Sequence, residues 1–129
     1  MPASTYLANG MINYIYRGQS FTAPTSYWVA LHTANPTAAG LLATELSGGS
    51  YVRLEATFNA PSSGASTNVD ELLFDLLPSA ASVGYVSVWD SLSAGNMLSY
   101  DDFTAIATNS GDAIRIPAGS LTIQFPTSI

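Results

Sequence analysis

Tyr27-Trp28-Val29-Ala30-Leu31-His32-Thr33 is the stretch that decides the fold. It is aromatic and β-branched at its start and runs into Asn35-Pro36, a turn signal. At a period of two, Tyr27, Val29, Leu31 and Thr33 share one face, and Trp28, Ala30 and His32 share the other. Both faces are largely apolar, so the segment reads as a central strand covered on two sides.

Working outward, the same period returns downstream. In Tyr51–Phe58, Val52, Leu54, Ala56 and Phe58 alternate inward, while Arg53 and Glu55 point out together. Val83–Trp89 places Val86 and Val88 on one face and Tyr85 and Trp89 on the other. Ser93-Ala94-Gly95-Asn96 reads as a hairpin turn returning along Met97–Tyr100, with Phe103–Thr108 as its extension. Ala113–Ile116 and Leu121–Phe125 are short strands around Pro117-Ala118-Gly119. The leucine-rich region between them and the central strand fits either a strand over Asn68–Phe74 or one helical turn, and Pro78 ends it in both cases. Thr37–Ser50 is an Ala/Gly/Ser-rich loop.

Upstream the period is 3.6. Ser4 or Thr5 can cap a helix whose Leu7, Met11, Tyr14 and Ile15 share a stripe. Arg17 complements the dipole in the last turn and Gly18 terminates it. The expected architecture is mainly β, a β-sandwich or jelly roll with one N-terminal α-helix. It forms one domain over 1–129, the helix at 4–17 and the sandwich at 21–129. The expected core is Leu7, Met11, Ile15, Val29, Leu31, Val52, Leu54, Phe58, Val86, Val88, Leu121 and Ile123.

Composition narrows the function. Charged residues make up 9% of the 129, the only cations are Arg17, Arg53 and Arg115, and the net charge is −6. A phosphate-tracking nucleic-acid binder needs a basic stripe, and attraction to an anionic membrane needs the same. Neither partner fits. With no cysteine, thiol catalysis, disulfides and cysteine-based metal sites are out. The N-terminus has neither a basic n-region nor an apolar h-region, so no signal peptide is expected. Mean hydropathy is +0.24, which for a chain without a membrane-length apolar run implies surface buried in a core or against partners.

No constellation reaches enzyme grade. His32, the single histidine, could act as a base for a serine, but no serine sits in a Gly-x-Ser-x-Gly elbow. A half-buried sheet histidine bonded to backbone is the plainer reading. Asp70/Glu71/Asp75 and Asp101/Asp102 are the only carboxylate clusters; nothing places them as a glycosidase pair or a calcium loop. Solvated strand ends and turns account for them. No catalytic residue, metal ligand or cofactor site is expected.

The run Val29-Ala30-Leu31-His32-Thr33-Ala34-Asn35-Pro36-Thr37, followed by Glu45-Leu46-Ser47-Gly48-Gly49-Ser50-Tyr51-Val52-Arg53, resembles a family of small tailed-bacteriophage virion proteins. The likeness continues through Phe58–Pro61, Val86–Asp90, Gly95–Leu98 and Gly111-Asp112 to Ala118–Ile123. Related sequences are tail-fibre-like, and similar small β folds serve as capsid cement or decoration proteins. The resemblance implies a structural component of the virion, made in the host bacterial cytoplasm. The leading expectation is a cement or decoration protein on the outer head, bound to the major capsid protein or other virion proteins. The alternative is a tail-fibre or receptor-binding module that recognises host glycans. A surface this poor in charge, without lysine to guard its strand edges, is also expected in a homo-oligomer, a trimer or dimer. The candidate contacts are Tyr14 and Tyr16 on the helix, Leu41 and Leu42 in the long loop, and Leu72, Leu73, Leu76 and Leu77.

Overall fold

A computed structural model describes residues 1–125. Helix α1 spans Thr5–Arg17, and the strands are β1 (Tyr27–His32), β2 (Leu54–Ala56), β3 (Ala65–Thr67), β4 (Leu72–Phe74), β5 (Ala80–Trp89), β6 (Met97–Thr108), β7 (Ile114–Ile116) and β8 (Thr122–Gln124). The main sheet runs β2-β1-β5-β6, antiparallel throughout, and faces two small antiparallel pairs, β3-β8 and β4-β7. This is a β-sandwich, mainly β with one α-helix near the N-terminus among the described residues. Of the leucine-rich region, Leu72–Phe74 is a strand, shorter than the Asn68–Phe74 expected, and Leu76 and Leu77 follow it outside the sheet.

The caps of α1 are those its sequence calls for. Ser4 Oγ accepts from the Leu7 amide at 3.0 Å, and Gly18 adopts the left-handed conformation with its N–H on Asn13 O. Gly10 sits mid-helix because the Phe21 ring lies against it; a Cβ there would collide with that ring.

β1 lies between β2 and β5, so it is central as its two apolar faces require. Its register pairs Val29 with Val88 and Leu31 with Val86. These four side chains form the front of the main sheet and are joined in one core by Leu72, Phe74, Leu77, Ile114 and Leu121 from the opposing layer. Leu7, Leu54, Phe58 and Ile123 pack against this core part-buried.

Two inward assignments, one outward assignment and two of the contacts are corrected. Ile15 is 58% exposed, because the second half of α1 runs clear of the sandwich; Leu7 and Met11 remain part-buried. Val52 is 58% exposed, and Arg53, expected outside, is 3% exposed. Strand β2 begins only at Leu54, so the alternation read through Tyr51–Phe58 does not hold at its start. Leu72 and Leu77, proposed as contacts, are 5% and 1% exposed and belong to the core.

Replacing Leu31 by Ala is expected to cost about 2–5 kcal/mol in denaturant unfolding, whereas Val52→Ala stays within about 0.5 kcal/mol. Equal effects would contradict the assigned faces.

Candidate functional site

The back of the main sheet carries Ala30, His32, Ser87 and Trp89, and it is closed by the loop 33–53. That loop returns alongside β1: Leu46 N–H donates to Leu31 O and Thr33 N–H to Thr44 O, setting Glu45 opposite His32. Gly49 lets the loop continue. Its φ is +55°, and a Cβ there would stand 2.9 Å from Leu76 O.

His32 is the middle of a relay of hydrogen bonds. The Thr44 hydroxyl donates to Leu41 O at 2.8 Å, so it must accept from His32 Nδ1–H, also at 2.8 Å. That assigns the tautomer and leaves Nε2 as acceptor. The Ser87 hydroxyl donates to Nε2 at 2.6 Å and accepts from the Trp89 indole N–H at 2.6 Å. Every donor along this line has an acceptor, with neutral imidazole. Burial pushes the His32 pKa down to about 4; Glu45 works against that shift and Arg53 adds to it.

The second half of the site is an ion pair. Arg53 Nε and Nη2 donate to Glu45 Oε2 and Oε1 at 2.9 and 2.8 Å, a bidentate fork. Its Nη1 donates to the carbonyls of Ser91 and Ala94, both at 2.9 Å, in the β5–β6 hairpin. The guanidinium lies 4.2 Å from the centre of the Trp89 ring. Tyr51 donates to Glu45 Oε2 at 2.7 Å and accepts from the Leu31 amide at 3.0 Å. Burial alone would raise the Glu45 pKa, but the bonds from Arg53 and Tyr51 outweigh it and hold the carboxyl below its usual value. Burial chiefly, with Glu45 beside it, raises that of Tyr51.

A serine on the Nε2 of a histidine is the pairing of a hydrolase. Here His32 and Ser87 are both 0% exposed, Nδ1 meets a threonine rather than a carboxylate, and the Ser87 oxygen already holds the indole. The expected backbone partners of His32 are replaced by side chains, in full burial. The network clasps the loop 33–53 and the 90–96 hairpin onto the sheet.

The carboxylate clusters stay apart from it. Asp75 and Asp101 each accept the amide of the following residue, and Asp112 accepts that of Asn109. Glu71 faces Arg115 at 3.3 Å on the surface. Among the described residues no group of three His, Asp or Glu could hold a metal ion. Of the candidate contacts, Tyr14, Tyr16, Leu41, Leu42, Leu73 and Leu76 are exposed, Tyr16 most of all at 82%. Among the described residues the surface has several open concavities, of which two matter here. One, of about 470 Å³, lies between β6 and the β7–β8 segment; the other, of about 440 Å³, lies between α1 and the sandwich.

Four residues of the clasp, His32, Glu45, Tyr51 and Arg53, belong to the two runs that open the resemblance to phage virion proteins. A family model described as Podophage GP4 fiber I protein gp80 matches residues 2–124. The chain belongs to this fibre-protein family. No curated protein matches it. Membership makes it a tailed-phage virion component, and among the described residues no helix is long and apolar enough to cross a membrane. Sequence reading missed Thr44 and Ser87 as partners of His32, and Trp89 as the partner of Ser87. The available signal was Arg53 itself, a cation set between Val52 and Leu54 in a chain with three.

Arg53→Ala strands Glu45 and two carbonyls, and is expected to cost about 3–5 kcal/mol by denaturant unfolding at neutral pH. A loss under about 1 kcal/mol would show the pair to be peripheral.

His32 also sets a pH dependence. Its ordinary pKa of 6.5 falls to about 4 on folding, so the unfolded chain binds the extra proton between those values. Its stabilisation is full above 6.5 and is lost as pH falls toward 4, about 3 kcal/mol in all. Glu45, held below its usual value, adds a further loss at lower pH. The urea midpoint should therefore drop between about pH 7.5 and pH 5, and His32→Gln should flatten that drop. Unchanged midpoints would contradict the buried neutral histidine.

Proposed function

We propose that the protein is a non-enzymatic structural subunit of a tailed-phage fibre, working by contact with other virion proteins. The match to a fibre-protein family over residues 2–124 carries this reading. The chemistry agrees with it. The one serine–histidine pair is sealed in the core, Glu45 is tied up by Arg53, and Asp75 and Asp112 cap backbone amides in turns. Exposed Ile12, Tyr16, Leu41, Leu42, Leu73 and Leu76 supply uncharged contact surface of the kind that subunits bury. The outer-head cement arrangement, with the major capsid protein as partner, would use the same surface. The family description favours the fibre.

Recognition of a host glycan has one feature in its support. The cleft of about 470 Å³ sets Phe103 among Asp101, Asp102, Arg115 and Gln124, an aromatic face beside polar groups that suit sugar hydroxyls.

Electron microscopy of intact virions decides the placement. The chain's density is expected in fibres, at low copy number. Density spread over the outer head at high copy number would overturn the fibre and support cement.

A further inference from the structure

Helix α1 carries a chemically labile junction, Asn9-Gly10, in its middle. Asparagine is thermally labile, and most so before glycine, where no side chain shields the next backbone nitrogen from the carboxamide. Packing keeps the glycine there, since a Cβ at position 10 would collide with the Phe21 ring. Asn9 itself is exposed, so water and base reach its side chain.

The helix is what holds the reaction back. Well inside α1, the Gly10 N–H is committed to the Tyr6 carbonyl, and the helical dihedrals of Asn9 keep that nitrogen from its own side-chain carbon. That lock is only as good as the helix. None of the α1 side chains is fully buried, and the glycine at its centre weakens it further. Its N-terminus is pinned by the Ser4 cap on the Leu7 amide, the Ser4 amide on Leu98 O at 2.8 Å and the Thr5 amide on Ala38 O at 2.9 Å. Past Gly18 the chain has no helix or strand until Tyr27. An element so placed opens locally more readily than the core strands.

We propose that Asn9 is a deamidation site gated by the opening of α1, and that its main-chain product keeps the helix from reforming. When α1 opens, the Gly10 nitrogen loses its proton to solvent base and bonds to Asn9 Cγ. The bond from Cγ to the side-chain nitrogen breaks, and ammonia leaves with a hydrogen taken from water. A second water then splits the five-membered imide. Opening at the Cγ–N bond gives ordinary aspartate at position 9; opening at the main-chain carbonyl gives the β-linked isomer, with one extra methylene in the backbone. Either product adds one negative charge to the chain's −6. The β-linked form cannot keep the helical hydrogen-bond spacing across position 9, so Tyr14 and Tyr16 lose the element that presents them. This chemistry is independent of where the subunit sits in the virion, so a failure here leaves the fibre reading to microscopy.

Ageing the full chain at mildly alkaline pH, with site-resolved peptide mass spectrometry, tests it. In denaturing urea Asn9 is expected to deamidate ahead of the other asparagines, and in buffer its rate should fall by roughly tenfold or more. Asn109-Ser110, in an exposed turn, is the internal reference and should slow much less. Ser4→Ala removes the cap and should speed Asn9 in buffer by roughly 2- to 30-fold, with Asn109 unchanged. If losing the cap melts α1 outright, as circular dichroism would show, the Asn9 rate should rise to that in urea. The deamidated fraction, isolated by anion exchange, should lose helical circular dichroism in proportion to its β-linked content. Asn9→Asp, which adds the charge without the methylene, should keep that signal. Equal Asn9 rates in buffer and urea would overturn the gate. So would a Ser4→Ala protein whose Asn9 is as slow as in wild type, or a β-linked product that retains its helix.

Discussion

A guanidinium buried under an indole is the constraint on which the rest of the back face depends. Taking Arg53 out of water is expensive unless nearly every N–H finds an acceptor and the charge is matched. Glu45 supplies the charge, Ser91 and Ala94 supply carbonyls, and Trp89 supplies the ring. These partners come from two parts of the chain, the loop before Arg53 and the end of β5 with its hairpin. Satisfying one side chain therefore brings the loop 33–53, the start of β2 and the β5–β6 hairpin to one place. The relay from Trp89 through Ser87, His32 and Thr44 to Leu41 extends the same tie along the sheet.

This division of labour explains how so long a loop can close a sheet face. The front of the main sheet is held by apolar packing of Val29, Leu31, Val86 and Val88 against the small sheets. The back has only a small apolar cluster, Ala30, Trp89 and Met97. A loop rich in Ala, Gly and Ser has few large side chains to bury, so directional bonds do there what area does on the front. A second polar anchor does the same at the far end. Asn68, 1% exposed, donates to the carbonyls of Asp70 and Pro117 and accepts from the Leu121 amide, fixing the turn between β7 and β8.

Much of the fold was legible in the sequence because local rules and tertiary packing agree there. Ser4 and Gly18 cap α1 as their residue types suggest, and β1 is central because both its faces are apolar. Reading failed where a contact distant in sequence overrides the local pattern. Strict alternation from Tyr51 puts Arg53 outside, since a period of two says nothing of a carboxylate eight residues back that makes burial tolerable. The 3.6 period that carried Ile15 inward assumes that the sheet runs the length of the helix, and it does not. The leucines at 72–77 could not be divided by periodicity, so Leu72 and Leu77 of the core were grouped with exposed Leu73 and Leu76. At the candidate site the pattern residues were visible. Their role was not, since a Ser–His pair becomes catalytic or structural according to whether substrate can reach it.

The central claim is that the residues of the His32–Arg53 pattern lock the back of the sandwich as one unit. Native-state hydrogen exchange of the wild type, resolved by residue, tests this most directly. The amides of Thr33, Leu46 and Asn96 hold the loop and hairpin through bonds to Thr44 O, Leu31 O and Asp90 Oδ1. If the clasp holds, the Thr33 and Leu46 amides exchange only through global unfolding, with the same denaturant dependence as Val88 in the core, and the Asn96 amide follows them closely. If they exchange by local opening, far faster than Val88 and insensitive to denaturant, the loop 33–53 is a flap lying over the sheet and the clasp is not what holds it.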